Sequence, residues 1–432
     1  MPDSRLAVFP FSNQGNDPAQ DYFGEGLAAE LLICLARVEG LHPLARSSVF
    51  ALPPDRRIPD RVGELLDATC LLTGSVSLQD QKLLVSAQLQ DVETQRILWS
   101  GRYERPLEGI FGLLDEIAEG VAGALGRAEA SATVRSITSL HSGDVKAYDR
   151  YLRGREAYYE YSRNGIRLAL QLFREAIQMD PAYALAYAGE ADCYSYAYLY
   201  IEHNDENRER AERAARHALE LDPELPEAFA SLGLALALCG GYAESEAALA
   251  RARELNPRLF EAHYFSARNC FAQGNLKEAI EHFAGARSVR PEDYQSPLLM
   301  GQIYDSLEDP LKAGTIRDDG VELARRHLEL NPGDVRALYM GANGLVALGR
   351  VTEGRAWLER ALEIGGADAM LLYNAGCIYA LLGAPDEALD CLERSVAGGL
   401  TQKEWYENDS NLDSLRGTLR FEALLGEMAR GA

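Results

Sequence analysis

From about residue 147 onward the apolar positions recur at helical spacing, and the apolar helices end in almost the same letters. ALELDP closes residues 218–223, ARELNP closes 252–257 and HLELNP closes 327–332. The stops fall at Pro181, Pro223, Pro257, Pro291 and Pro332, in steps of 42, 34, 34 and 41 residues, and a further 34 reaches Gly366. Proline has no backbone N–H to donate and restricts the residue before it, so each of these positions ends a helix. Each step holds two helical patterns. The hydrophobic pattern therefore predicts helix pairs that repeat and stack, because one pair alone cannot bury its apolar face.

Interior positions keep the same register. With each stop set at position 32, small residues fall at position 8: Gly189, Gly233, Ala267, Gly301, Ala342 and Gly376. Position 20 holds Ala169, Ala211, Ser245, Ala279, Gly320, Gly354 and Ala388, and position 24 holds Phe173, Leu249, Phe283, Leu358 and Leu392. A 34-residue period of this kind is the tetratricopeptide (TPR) signature. About seven repeats are predicted between residues 147 and 400, as a right-handed α-solenoid with a concave groove. Repeats two and five are longer than the rest, with the additions expected near HNDENRE and EDPLKAGT, between their paired helices. Residues 401–432, with LDSLRGTLRFEALL, read as helices that cap the exposed apolar end.

Residues 1–130 change pattern. RLAVFPF and LHPLARSSVF read as strands, DYFGEGLAAELLICLARVEG and IPDRVGELLDA as helices, and CLLTGSVSLQDQKLLVSAQLQDVETQRILWSGRYER as a three-stranded meander. RPLEGIFGLLDEIAEGVAGALG closes the segment as an amphipathic helix. The predicted fold class is α/β plus all-α: a small mixed-sheet domain (1–130), a linker (131–146), then the repeats.

Composition narrows the function. At 47% hydrophobic and 25% charged the chain is globular, and its formal charge of −23 argues against direct nucleic-acid contact or adhesion to anionic membranes. The seven cysteines are scattered singly, which suits a reducing, cytoplasmic location. No stretch has the ~20 apolar residues of a membrane span. The phosphate-loop, dinucleotide, zinc-protease and nucleophile-elbow motifs are absent, and LTGSVS belongs to a strand pattern, so no enzyme activity, cofactor or metal is expected. His263 and His282, near Glu261 and Glu281, read as structural histidines.

Aromatic residues say more. Of the 21 tyrosines, 11 lie between Tyr148 and Tyr200. In TPR geometry, positions 2, 5, 9 and 12 of each first helix face the groove. On this register they include Tyr148, Tyr151, Arg155, Tyr158, Tyr183, Glu190, Tyr264, Arg268, Phe271, Gln302, Tyr339, Asn343 and Tyr373. Tyrosine and arginine anchor many interfaces because they offer large, stiff surfaces with polar tips. For the set from Tyr183 to Tyr373, ligand contact in the groove and packing within the repeats both stay open. Packing between the α/β domain and the first repeat is the expectation for Tyr158–Tyr161 and Tyr194–Tyr200.

The segments LAVFPFSN, DYFGEGLAAELLICLARVEGL, LLTGSVS and VSAQLQDVETQRILWSGRYERPLEGIFGLLDEIA resemble the TolB-like amino-terminal domain that precedes TPR arrays in many bacterial regulatory proteins. AYDRYLRGREAYY, AIQMDPAYALAYAGEADCY and LDSLRGTLRFEALL extend the resemblance over nearly the whole chain. In that family the two modules commonly follow a class III nucleotide cyclase, a winged-helix DNA-binding domain or a kinase. Here the sequence opens directly on RLAVFPF, so the resemblance implies a scaffold, sensing or docking part that binds a protein or peptide in its groove.

Overall fold

The computed structural model describes residues 4–15, 21–36, 38, 40–44, 49–50, 52–53, 57–79, 82–106, 109–126, 144–159, 163–401 and 403–431. Most of the expected linker therefore lies outside the described residues.

The amino-terminal sheet grows from β1 (Ser4–Val8), β2 (Ser12–Asn13), β3 (Leu41–Pro43), β4 (Cys70–Gln79), β5 (Lys82–Asp91) and β6 (Ile97–Pro106). Its order is β3-β1-β4-β5-β6, with β2 also paired to β4. β1 runs parallel to β3 and β4, and the β4–β5–β6 meander is antiparallel, so the sheet is mixed. Alternation in β5 buries Leu83, Val85, Ala87 and Leu89 on the face that carries α3 (Ile110–Ala124), which packs on α1 (Asp21–Ala36), while α2 (Pro59–Leu66) precedes the meander. The strand expected across LHPLARSSVF is shorter than its pattern. It is described from Leu41 to Pro43, Leu44 N–H still donates to the Leu6 carbonyl at 2.9 Å, and residues 49–50 are helical, while residues 45–48 lie outside the described residues.

Seven consecutive helix pairs follow: α4 (Val145–Tyr158) with α5 (Arg163–Met179), α6 (Ala184–Tyr200) with α7 (Asp205–Leu221), and α8 (Pro226–Leu238) with α9 (Tyr242–Leu255). Next come α10 (Phe260–Ala272) with α11 (Leu276–Val289), α12 (Gln295–Ser306) with α13 (Pro310–Leu330), α14 (Val335–Ala347) with α15 (Val351–Gly365), and α16 (Ala369–Leu381) with α17 (Pro385–Ala397). Aspartates start several of the first helices. Asp334 Oδ1 accepts the Ala337 N–H at 3.0 Å and Asp368 Oδ1 the Leu371 N–H at 2.8 Å, caps worth about 1 kcal/mol each.

Within a pair, the small residue of the first helix lets the second helix come close. A β-carbon on Gly233 would lie 2.5 Å from Leu249 Cγ, and one on Gly376 would lie 2.6 Å from Leu392 Cγ. Both partners sit sixteen residues further along the chain. The same spacing in repeat five joins Gly301 to Arg317, so Ala313, not Gly320, holds position 20 there. The extra residues of that repeat therefore lengthen the carboxyl end of α13 instead of the turn near EDPLKAGT. Pro310 and the Asp309 cap start α13 at the usual place, and no breaker intervenes before Asn331.

The chain forms two compact units, residues 1–197 with 206–269, and residues 198–205 with 270–432. In the first unit, α1 packs on α4 so closely that a β-carbon on Gly26 would meet Leu152 Cδ1 at 2.4 Å. Arg258, in the turn before α10, donates to the Val38 carbonyl at 3.4 Å and bonds His42 Nδ1 at 2.9 Å. In the second unit, α18 (Lys403–Asn408), a 3₁₀ turn (Ser410–Leu415) and α19 (Leu419–Gly431) close the end of the last pair. Leu412, Leu415, Phe421, Leu424 and Met428 join one core with Met370, Tyr373, Leu389 and Leu392.

Candidate partner-binding face

In the first unit the first helices of successive pairs share one polar face. Asp192 of α6 accepts the Ser231 hydroxyl of α8 at 2.6 Å, with Arg155 of α4, Glu227 of α8 and Glu261 of α10 close enough to act on its charge. Burial, and then the charge of Glu261, raise the Asp192 carboxyl to about 7 against the pull of the Ser231 hydrogen bond. Arg155 donates to the Tyr151 hydroxyl at 2.8 Å and the Tyr159 hydroxyl at 2.5 Å. Glu30 of α1, only 2% exposed, reaches the same group. Burial holds the phenols of Tyr148, Tyr151 and Tyr183 well above their usual range, and the Glu30 charge adds to each. Helix α1 thus covers the tyrosine end of this face.

In the second unit the corresponding residues are Gln302 and Asp305 on α12, Arg336, Tyr339 and Asn343 on α14, and Met370, Tyr373 and Cys377 on α16. Asp305 pairs with the buried guanidinium of Arg317. The Tyr373 hydroxyl donates to Asp409 Oδ2 at 2.9 Å and lies 3.3 Å from the Trp405 carbonyl, so the carboxyl-terminal helices cover it. Arg336 donates from Nη1 to the Tyr200 hydroxyl at 3.1 Å, with its guanidinium 5.4 Å from the centre of the Tyr200 ring.

The residues expected to line a groove therefore divide. Tyr183, Tyr264, Tyr339 and Tyr373 are packing groups: none is more than 8% exposed. Tyr183 sits 5.1 Å from the Tyr151 ring, and Tyr264 stacks on Phe260 at 5.4 Å. Tyr148 and Tyr151 are buried as well. Glu190 pairs with Arg174 of α5 at 2.9 Å, away from the shared first-helix face. Arg268, Phe271, Gln302 and Asn343 remain partly exposed on first helices.

The misplaced pair in repeat two has one cause. In every other repeat the small position lies ten residues past the preceding stop, as in Pro223 to Gly233. Ten past Pro181 is Ala191, which packs with Ala214, Ala215 and Leu232, whereas Gly189 touches Phe173 of the pair before it. Sliding the register by two turns Glu190 into Asp192. Arg336 occupies position 2 of its repeat, and Tyr200, expected in the gap beside the α/β domain, belongs instead to the second unit, where it bonds Arg336. His263 Nε2 lies 2.8 Å from the Pro257 carbonyl.

Residues 240–294 and 371–397 match tetratricopeptide-repeat family models. The helix pairs within these two stretches are tetratricopeptide repeats. The chain is 29% identical over 246 residues to putative adenylate cyclase 3 of Rhizobium meliloti, covering 56% of this chain and 41% of that protein. It is 26% identical over 291 residues to the transcriptional regulator HilA of Salmonella typhimurium, covering 66% of this chain and 48% of that one. It thus spans less than half the length of these curated relatives. Among solved structures it resembles YrrB, described as a TPR protein with an unusual peptide-binding site, at 22% identity and a TM-score of 0.30, over 44% of this chain and 94% of that one. No helix among the described residues is long and apolar enough to cross a membrane.

Proposed function

We propose that the chain is a non-enzymatic interaction module that holds a peptide or protein on the first-helix faces of its repeats. It would serve as the signal-input or docking part of a regulatory system. The observation that carries this reading is the arrangement itself. In the second unit, stacked pairs place Phe271, Gln302 and Asn343 on first helices, partly exposed and backed by packed second helices. A rigid row of this kind recognises extended segments through a few side-chain contacts. The likeness to portions of a putative adenylate cyclase and of a transcriptional regulator favours a regulatory part over a free-standing scaffold. In this reading residues 1–130 form a TolB-like docking domain, residues 147–400 the repeats and residues 401–432 the cap, in a cytoplasmic protein whose seven cysteines are free.

The test is affinity capture with the chain and with its Gln302→Ala/Asn343→Arg variant, both shown folded by circular dichroism. Capture of a specific protein by the first and at least tenfold less by the second supports the reading. Equal capture by both overturns it.

A further inference from the structure

The first-helix faces of the two units are partly covered, and what covers the second of them is informative. Repeat two exceeds its neighbours by eight residues. From Ala191 to Ala211 the chain spans 20 residues, where Gly233 to Ser245 and Ala267 to Ala279 each span 12. The addition carries α6 on to Tyr200 and begins α7 at Asp205, which makes a protruding helical tip. Residues 198–205, eight in number, belong to the second compact unit.

Within that unit the tip is seated on first-helix positions. Tyr198 and Leu199 are buried, at 9% and 7% exposure. Tyr200 accepts the Arg336 hydrogen bond beneath the guanidinium and packs on the core that contains Met370, Tyr373 and Cys377. Arg336 and Met370 occupy position 2, and Tyr339 and Tyr373 position 5, of repeats six and seven. These are the positions from which a repeat of this kind contacts a ligand. The His203 ring lies 3.9 Å from the Tyr198 ring, and its Nδ1 is 3.4 Å from the Tyr198 carbonyl, which closes the turn.

We propose that residues 198–205 are an internal ligand of the first-helix face of repeats six and seven, and that the external partner of this face presents a tyrosine in the same way. The inference rests on the protein-binding reading above and deepens it. The eight residues are not needed to turn between two helices, since the other repeats turn without them, and they place a phenol on the one guanidinium at position 2 of these two repeats. A tethered segment competes at an effective concentration roughly in the millimolar range, so a partner segment gains the face only where its own tyrosine outcompetes Tyr200. The ring–guanidinium contact together with its hydrogen bond is enough for about a tenfold change in such a competition.

The experiment uses the full chain and a fluorescein-labelled peptide with the sequence of residues 194–208, followed by anisotropy. The chain itself binds the peptide weakly, Tyr200→Ala binds it at least tenfold more tightly, and Tyr200→Ala/Arg336→Gln loses that gain. Tyr200→Phe, which keeps the ring and removes only the hydroxyl, gives a smaller gain and guards against a packing defect in the alanine variant. Folded Tyr200→Ala that binds no better than the parent chain overturns the proposal, as does a double variant that binds as tightly as the single one. Either failure leaves the capture experiment with Gln302→Ala/Asn343→Arg untouched. Failure of that capture, by contrast, removes the broader reading whatever the peptide does.

Discussion

Replacing Asp192 by asparagine tests the electrostatics of the first unit's polar face. The carboxyl, normally near 3.8, stands at about 7 in the folded chain, because burial disfavours its charged form and Glu261 repels it. The folded state therefore keeps a proton that the unfolded chain has released. A group raised in this way adds stability at low pH that disappears as pH rises through its folded value. Between pH 6 and pH 8, which bracket that value, ionisation of this one group removes about 1.4 kcal/mol. Asparagine keeps the shape and the oxygen that accepts from Ser231 Oγ at 2.6 Å, and it has no charge to lose. Scanning calorimetry of the two chains at pH 6 and pH 8 is the assay. At about 2–4 °C per kcal/mol for a unit of this size, the parent's transition should fall by roughly 3–6 °C more than the variant's. Ionisations common to both chains cancel in the difference. Parallel falls would refute the burial of a carboxylate between Glu227 and Glu261.

Two further substitutions examine the packing that presents the faces. Gly376→Val sets a branched side chain where a β-carbon alone would be 2.6 Å from Leu392 Cγ, so urea unfolding should show a loss of about 1–3 kcal/mol. Phe421→Ala empties a fully buried site between the last pair and its cap, at a cost of about 3–5 kcal/mol. Limited proteolysis should then cut first within residues 403–431, and unchanged resistance there would contradict the packing of the cap.

The repeat architecture is plain in the sequence because its signals are local and redundant. Proline stops, close-approach glycines and apolar partners sixteen residues on all describe the same helix pair. The sheet is legible in the meander, where β5 alternates buried and more exposed positions from Leu83 to Leu89. The face residues are harder to read. A residue at position 2 or 5 points toward the groove in a bare repeat, but whether it meets solvent depends on what else the chain brings there. Helix α1 brings Glu30 over Tyr148, Tyr151 and Tyr183, and the cap brings Trp405 and Asp409 over Tyr373. These contacts join residues far apart in sequence, and no periodicity announces them. Arg317 shows the same limit: a guanidinium at position 24, where most other repeats carry Phe or Leu, is stabilised by Asp305 across the pair.

On the proposed function, partners bind the first-helix faces and not the outer second helices. Photo-crosslinking decides it, with benzoylphenylalanine at Gln302 or Asn343 on the first-helix side and at the exposed Glu359 of α15 as the outer comparison. The account predicts one shared adduct from Gln302 and Asn343 and none from Glu359. An adduct of equal yield from Glu359, or from Glu359 alone, would contradict it.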